Sequence, residues 1–462
     1  MISMFLSFSK THSPERSRRR KTNTRPRVEG LEDRALMASL ASLSAATATI
    51  AATPVAFNGA LYFSATDAVN GTELWKSDGT SAGTQILKDI YPGSKSSYPS
   101  NLTVVGSKLF FSATDPVAGT ELWATDGTSA GTQMVKDLYP GVIGSYPDQL
   151  TPMNGVLYYV AYDPKGGYEL IRSDGTAAGT AMVKDINPGT AASSIRNLTA
   201  VGSTLYFSAT NGVNGAELWK SDGTAAGTVM VKDANPGSGS SNPGVFAALG
   251  STLFYSAYTP ASGYELWKSD GTAAGTVQVA DITPGATSSM PAELTAFGSY
   301  IYFSANDGVN GVELWRTNGV TTTLFADIRP GALGSTPQNL TVAGSNLFFT
   351  ANDGVHGAEL WRTDGTTAGT FLVSDIYPGA ISSNVQNLQA VGSKVYFSAC
   401  APNFGTELWS SDGTSAGTSL VIDMNPGAGS SKPRDMVVMQ GALYFVADDA
   451  TTTNRLRKLV TG

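Results

Sequence analysis

One tripeptide sets the frame for the whole chain. Glu-Leu-Trp returns at intervals of 48 residues (75 to 123, 219 to 267), with tryptophan at 75, 123, 219, 267, 315, 361 and 409. Ile171 fills the slot in the third unit, which reads YELIRSDG, and all seven tryptophans of the protein lie at this one position. The single shorter step, 315 to 361, comes from a two-residue deletion in the turn after Asn318. A unit this small cannot bury enough apolar surface to stand alone, so each must pack on its neighbours in a repeat architecture.

The fourth unit displays the pattern: NLTAVGSTLYFSATNGVNGAELWKSDGTAAGTVMVKDANPG. Four short strand-like runs stand out, at Asn197–Val201, Leu205–Ala209, Glu217–Lys220 and Thr228–Lys232. Gly-Ser, Asn-Gly, Asp-Gly-Thr and Asn-Pro-Gly separate or end them, all of them turn signals. In the second run Leu205 and Phe207 point to one side and Tyr206 to the other, which suits a sheet sandwiched between two more sheets. Four strands every 40 to 50 residues is the signature of a propeller blade. The expected fold is therefore all-β: a closed β-propeller of four-stranded blades, occupying residues 53–462.

Eight complete units run from about Thr53 to Gly427. A ninth begins near Asp435 and supplies three strands without a Glu-Leu-Trp. Propellers often complete their last blade with a strand from the opposite terminus, and Ala46–Ala51 (ATATIA) offers one. Nine blades are favoured. Eight is the alternative, should an export cleavage between Ala48 and Ala52 remove that strand.

Residues 1–52 differ from the repeats. A basic block, Arg16 to Arg27, precedes an Ala/Ser/Thr tract with A-x-A sites, the layout of an export signal peptide. Gly30–Ser39 (GLEDRALMAS) resembles the LEPR-type motif near the start of bacterial surface proteins, with Asp33 in place of its proline. Further on, ELWKSDGT (Glu73–Thr80), ELWATDGT (Glu121–Thr128), ELWRTDGT (Glu359–Thr366) and ELWSSDGT (Glu407–Thr414) resemble the ELWxxDGT-repeat family of bacterial secreted proteins. That resemblance spans residues 72–423. It implies an extracellular or cell-surface location and no established reaction.

Composition narrows the function. A net charge of −7 argues against a nucleic-acid partner, which needs a Lys/Arg excess. No run of 18 apolar residues suggests a transmembrane helix. The lone Cys400 rules out a disulfide framework and reads as an incidental thiol, and the histidines are only His12 and His356. Of the 37 acids, 28 recur at four repeat positions: the Glu of Glu-Leu-Trp, the Asp of Asp-Gly-Thr, the Asp after the fourth strand, and an Asp in the loop before Glu-Leu-Trp. A catalytic residue is not needed eight times round a ring. The Asp-Gly-Thr aspartate reads instead as an Asx turn, and the tryptophans read as wedges between blades.

No catalytic residue and no cofactor site is assigned. Calcium is the one metal with candidates, because NDGVNGVE and NDGVHGAE gather oxygen ligands around a turn: Asp307, Asn310, Glu313, Asp353 and Glu359. Against it, units five and eight carry proline instead of that Asp, and the spacing is not an EF-hand's, so a tight turn is preferred. If the first strand is innermost, Thr103, Thr199, Thr295 and Thr341 line the channel, and Arg196, Glu293, Arg434 and Asp435 depart from the pattern there. The expectation is a non-enzymatic surface scaffold that binds surface proteins or polysaccharide. The alternatives are a propeller-type lyase or hydrolase, and a passive envelope protein.

Overall fold

The computed structural model describes residues 40–42 and 48–460. They form nine sheets, and no described residue is helical. Blade four is representative. Its strands Arg196–Val201, Thr204–Ala209, Glu217–Ser221 and Val229–Lys232 run antiparallel in chain order. The first pair turns at Gly202, whose φ of +59° suits a residue without Cβ, so that Val201 faces Thr204. The outer pair slips register between Leu218 and Trp219, a bulge that adds twist to the short fourth strand.

The first strand of each blade is the innermost, and these strands neighbour one another round a complete circuit. Val55–Phe57 of blade one lies beside both Ser100–Val105 of blade two and Arg434–Met439 of blade nine. The chain is a closed nine-bladed β-propeller.

Nine apolar clusters fill the nine gaps between consecutive blades. Leu205, Phe207 and Trp219 of blade four meet Tyr158 and Leu170 of blade three. On the other face, Tyr206 and Leu218 meet Leu253, Tyr255 and Trp267 of blade five. Both faces of one sheet are therefore core, as the alternation of Leu205, Tyr206 and Phe207 requires. Trp219 is 5% exposed, and Ile171 sits fully buried in the equivalent slot of blade three. Trp75, Trp123, Trp219 and Trp267 are buried wedges between blades, and Trp315, Trp361 and Trp409 pack half-buried against the same kind of cluster.

Blade nine holds Arg434–Met439, Ala442–Ala447 and Arg455–Val460, and its outermost strand is Leu40–Ser42, with Leu40 opposite Leu459. This corrects the expectation that Ala46–Ala51 closes the ring. Ala46 and Thr47 lie outside the described residues, while Thr49–Ile50 pairs with Ala60–Asp67 inside blade one. Thr49 faces Thr66, and one blade on, Thr114 hydrogen-bonds Ser97 in the equivalent place. Residues 48–50 thus form the approach to an innermost strand, and a segment used there is not free to cover an outer edge. The basic block and the LEPR-like segment lie outside the described residues.

Candidate functional site

The repeated glutamate comes first, because its burial is complete. All eight, from Glu73 to Glu407, are 0% exposed. In blade four, Glu217 Oε2 accepts the Ala234 N–H at 2.9 Å and the Ser241 hydroxyl at 2.5 Å, while Oε1 accepts the Ser241 N–H at 2.8 Å. Ala234 and Ser241 flank the loop that leaves the fourth strand and enters the next blade. Each glutamate therefore staples that connection to its own blade, and the same serine hydroxyl answers it in all eight. Burial pushes these carboxyls above the ordinary carboxylate range, to about 7 for Glu169 and Glu359. In blade three the Ser193 N–H bonds the Tyr168 carbonyl alone, where other blades share it with the glutamate or give it over entirely, and Glu169 Oε1 has no partner within hydrogen-bond distance.

The Asp-Gly-Thr aspartates form Asx turns on the opposite side of the hairpin. Asp222 Oδ1 accepts the Thr224 N–H at 2.8 Å and its hydroxyl at 2.7 Å, with Gly223 at φ +91°. The threonine hydroxyl, then its N–H, hold this carboxyl below the usual range. Lys76, Lys108, Lys220 and Lys268 each donate to the glycine carbonyl of the next blade's turn, tying that face together.

The five calcium candidates divide into two groups with different duties. Asp307 accepts the Val309 and Asn310 N–H groups through Oδ1 and the Asn310 amide through Oδ2. Asp353 does the same for Val355 and His356, whose ring nitrogen lies 2.7 Å away. Glu313 and Glu359 are turned inward as staples, bonded to Ser335 and Ser383. Among the described residues no three His, Cys, Asp or Glu side chains converge as a metal site would require.

The four departures on the innermost strands lie on three blades. In blades two to nine the second residue of this strand is a bulge with φ near +55°, and on several blades its side chain reaches the next blade. Asn197 donates to the Pro243 carbonyl at 3.1 Å, and Gln149 to the Ile195 carbonyl at 2.9 Å. Glu293 and Asp435 occupy this position too. Glu293 accepts the Asn339 N–H at 2.9 Å, and Asp435 accepts the Thr53 hydroxyl at 2.6 Å, so both are latches between blades. Arg434 bonds Asn454 and lies 3.6 Å from Asp435. Thr103, Thr199, Thr295 and Thr341 lie on the innermost strands as expected, each bonded to the carbonyl two residues back.

Arg196 differs from all of these. It is exposed and makes no ion pair among the described residues. Three cavities meet at it: about 710 Å³ in the channel with Gln149 and Val245, about 480 Å³ with Tyr146, Asp148 and Tyr168, and about 420 Å³ with Ser194 and Asn242. Tyrosines flank it on both sides. Tyr162 and Tyr168 form a cross-strand pair in blade three with ring centres 5.4 Å apart, and Tyr139 adds a third ring at 5.0 Å. Blade five carries the matching pair, Tyr258 and Tyr264, at 5.3 Å. Elsewhere this pair is small, as with Thr66 and Thr72, joined at 2.6 Å, or Asn352 and Ala358. Arg196 was legible as a departure; the tyrosine pairs were not singled out, although the column they occupy holds tyrosine only in blades three and five.

No helix among the described residues is long and apolar enough to cross a membrane. No family model matches the chain, and no curated protein matches it. Among solved structures it is similar to a puromycin hydrolase, at 12% identity and a TM-score of 0.39, covering 75% of this chain and 58% of that one. Oligopeptidase B from Leishmania major is similar at 12% identity and 0.43, covering 76% and 53%. The β-propeller domain of the Trilobed protease from Pyrococcus furiosus is similar at 11% identity and 0.37, covering 71% and 99%. This chain thus spans little more than half the length of the two whole peptidases.

Proposed function

We propose that the chain is an exported, non-catalytic binding ring that holds polysaccharide or another surface component at the cell surface. The observation that carries this reading is the fate of the carboxylates. The repeated glutamates are staples, the Asp-Gly-Thr aspartates are turns, and the two unusual channel acids, Glu293 and Asp435, are latches on backbone or hydroxyl donors. General acid–base work needs two groups within reach of one substrate atom, and Glu293 and Asp435 belong to blades six and nine. The export-like leader and the resemblance to secreted repeat proteins support the location. Near-identical blades also present the same loops many times, so weak contacts to a repetitive polymer add through multivalency.

The test pairs binding with turnover. Purified protein is incubated with a panel of soluble and insoluble polysaccharides, and both retention and product release are measured. Retention without product is expected. Product formation that disappears in Glu293→Gln or Asp435→Asn, with melting unchanged, replaces the ring with an enzyme. Fractionation of the producing cell tests the location, and recovery in the cytoplasm refutes it.

A further inference from the structure

We infer that the specific ligand site is the tyrosine-flanked groove over blades three to five, and that it takes a segment of a neutral oligosaccharide. The inference rests on the binding-ring reading above and adds where the ligand sits and what chemistry it has.

The first observation is asymmetry. A ring of equivalent loops offers no unique place, yet blades three and five alone replace a pair of small side chains with two tyrosines. Tyr168 is 38% exposed and Tyr146 is 48% exposed, and both line the cavity that also holds Asp148 and Arg196. Burial, then the neighbouring Tyr146 and Tyr162 phenols, raise the pKa of Tyr168, as expected of rings gathered together. Across blade four, the Tyr264 hydroxyl lies 3.3 Å from the Asn242 amide, and Asn242 lines the adjoining cavity.

The second observation is the mixture of groups. A pyranose presents a flat C–H face and a rim of hydroxyls, each of which both donates and accepts. Exposed aromatic rings serve the face, having an apolar body and a polar tip. Arg196 donates only, Asp148 accepts only, and Ser194 and Asn242 do both, which suits a rim of hydroxyls. Both cavities over the face fall in the size range of ligand pockets, at about 480 and 420 Å³. They share Ser194 and Arg196, so the groove is continuous.

The third observation is charge. Arg196 and Asp148 line the same cavity without an ion pair between them, so their fields nearly cancel for a ligand that spans both. An anionic sugar gains at Arg196 and loses at Asp148. A neutral one keeps a hydrogen bond to each, and bonds to charged groups are the stronger kind.

Titration calorimetry with the full chain tests this, using hexamers of neutral glucan, mannan and xylan beside oligogalacturonate. One or more neutral hexamers should bind, with Tyr168→Ala and Arg196→Ala each weakening binding at least tenfold while melting stays at wild type. Tyr168→Phe should bind like wild type, because the ring matters more than its hydroxyl. Leu333→Ala, an exposed side chain in the loop between blades six and seven, should change nothing. Binding that survives both alanine variants overturns the groove and leaves the ring reading standing. Preference for oligogalacturonate, lost steeply with salt, overturns the neutral ligand. No binding of any oligosaccharide overturns the inference together with the polysaccharide arm of the proposed function.

Discussion

Glu217→Ala tests how the ring holds its blades in order. The substitution takes an acceptor from three donors: the Ala234 N–H, the Ser241 N–H and the Ser241 hydroxyl, at 2.9, 2.8 and 2.5 Å. Each orphaned buried donor costs about 1–3 kcal/mol. Two effects offset the sum: water can enter the space vacated, and the cost of burying the carboxylate, seen in its raised pKa, is relieved. A net loss of about 3 kcal/mol follows. Glu217→Gln separates the hydrogen bonds from mere filling of space. Glutamine has the same shape but one acceptor oxygen, so at least one donor faces its amide N–H₂, and a loss of about 2 kcal/mol is expected. Nine coupled blades need not unfold in one step, so denaturant melts should be joined by hydrogen exchange at residues 233–242. Faster exchange at Ala234 and Ser241, with blades seven and eight unchanged, is the expected signature. If Glu217→Gln melts and exchanges like wild type, the carboxylate is only a space-filler and the staple is wrong.

Trp219→Ala should cost about 3–5 kcal/mol in chemical denaturation, and Trp123→Ile clearly less than Trp123→Ala, since Ile171 already fills that slot. For pH, Glu169 and Glu359 have folded pKa values of about 7 against an ordinary 4.5, so their stabilising effect is complete below 4.5 and lost as pH rises through 7. The depressed Asp-Gly-Thr aspartates act oppositely, losing theirs as pH falls below the usual carboxylate range. Melting temperature should therefore decline between pH 5 and 8, and the double variant Glu169→Gln, Glu359→Gln should flatten that decline. Removing residues 1–47 deletes the strand Leu40–Ser42 and should cost about 2 kcal/mol, with faster exchange confined to Arg455–Val460. Melts in chelator and in millimolar calcium should coincide, because a site held at 100 times its Kd would add about 2.7 kcal/mol. A calcium-induced rise abolished by Asp307→Ala with Asp353→Ala would contradict the turn reading.

What was legible in the chain follows the range of the interactions. The strands of blade four lie within a residue or two of their expected places, because alternation and Gly-containing turns act over a few residues. Trp219 was readable as core because a tryptophan, or Ile171, recurs at that one strand position in eight units. The closing strand was misplaced by several residues, since Leu40–Ser42 pairs with Arg457–Leu459 across nearly the whole chain and nothing local marks it. The staple was hidden differently. Glu217 and Ser241 are 24 residues apart, and Glu313 with Ser335 keeps the pair after the deletion at 22. That coincidence shows only when two columns of the repeat are read together. The tyrosine pairs of blades three and five demand the same reading down columns, because Tyr162 and Tyr168 look ordinary along the row.

The closing strand also sets an order in time. During synthesis the partners of the first apolar face are the last to be made: Ile50, Leu61 and Phe63 await Tyr444, Val446 and Leu456. Until the final few dozen residues arrive, blade one presents a bare sheet face and blade eight another, and such faces invite association with neighbouring chains. An arc of eight finished blades is thus a sticky intermediate that matures only when its ends meet. Delay at that step, rather than weakness in any blade, is where the molecule is most exposed to aggregation, and a chain released before residue 456 would stay in that state.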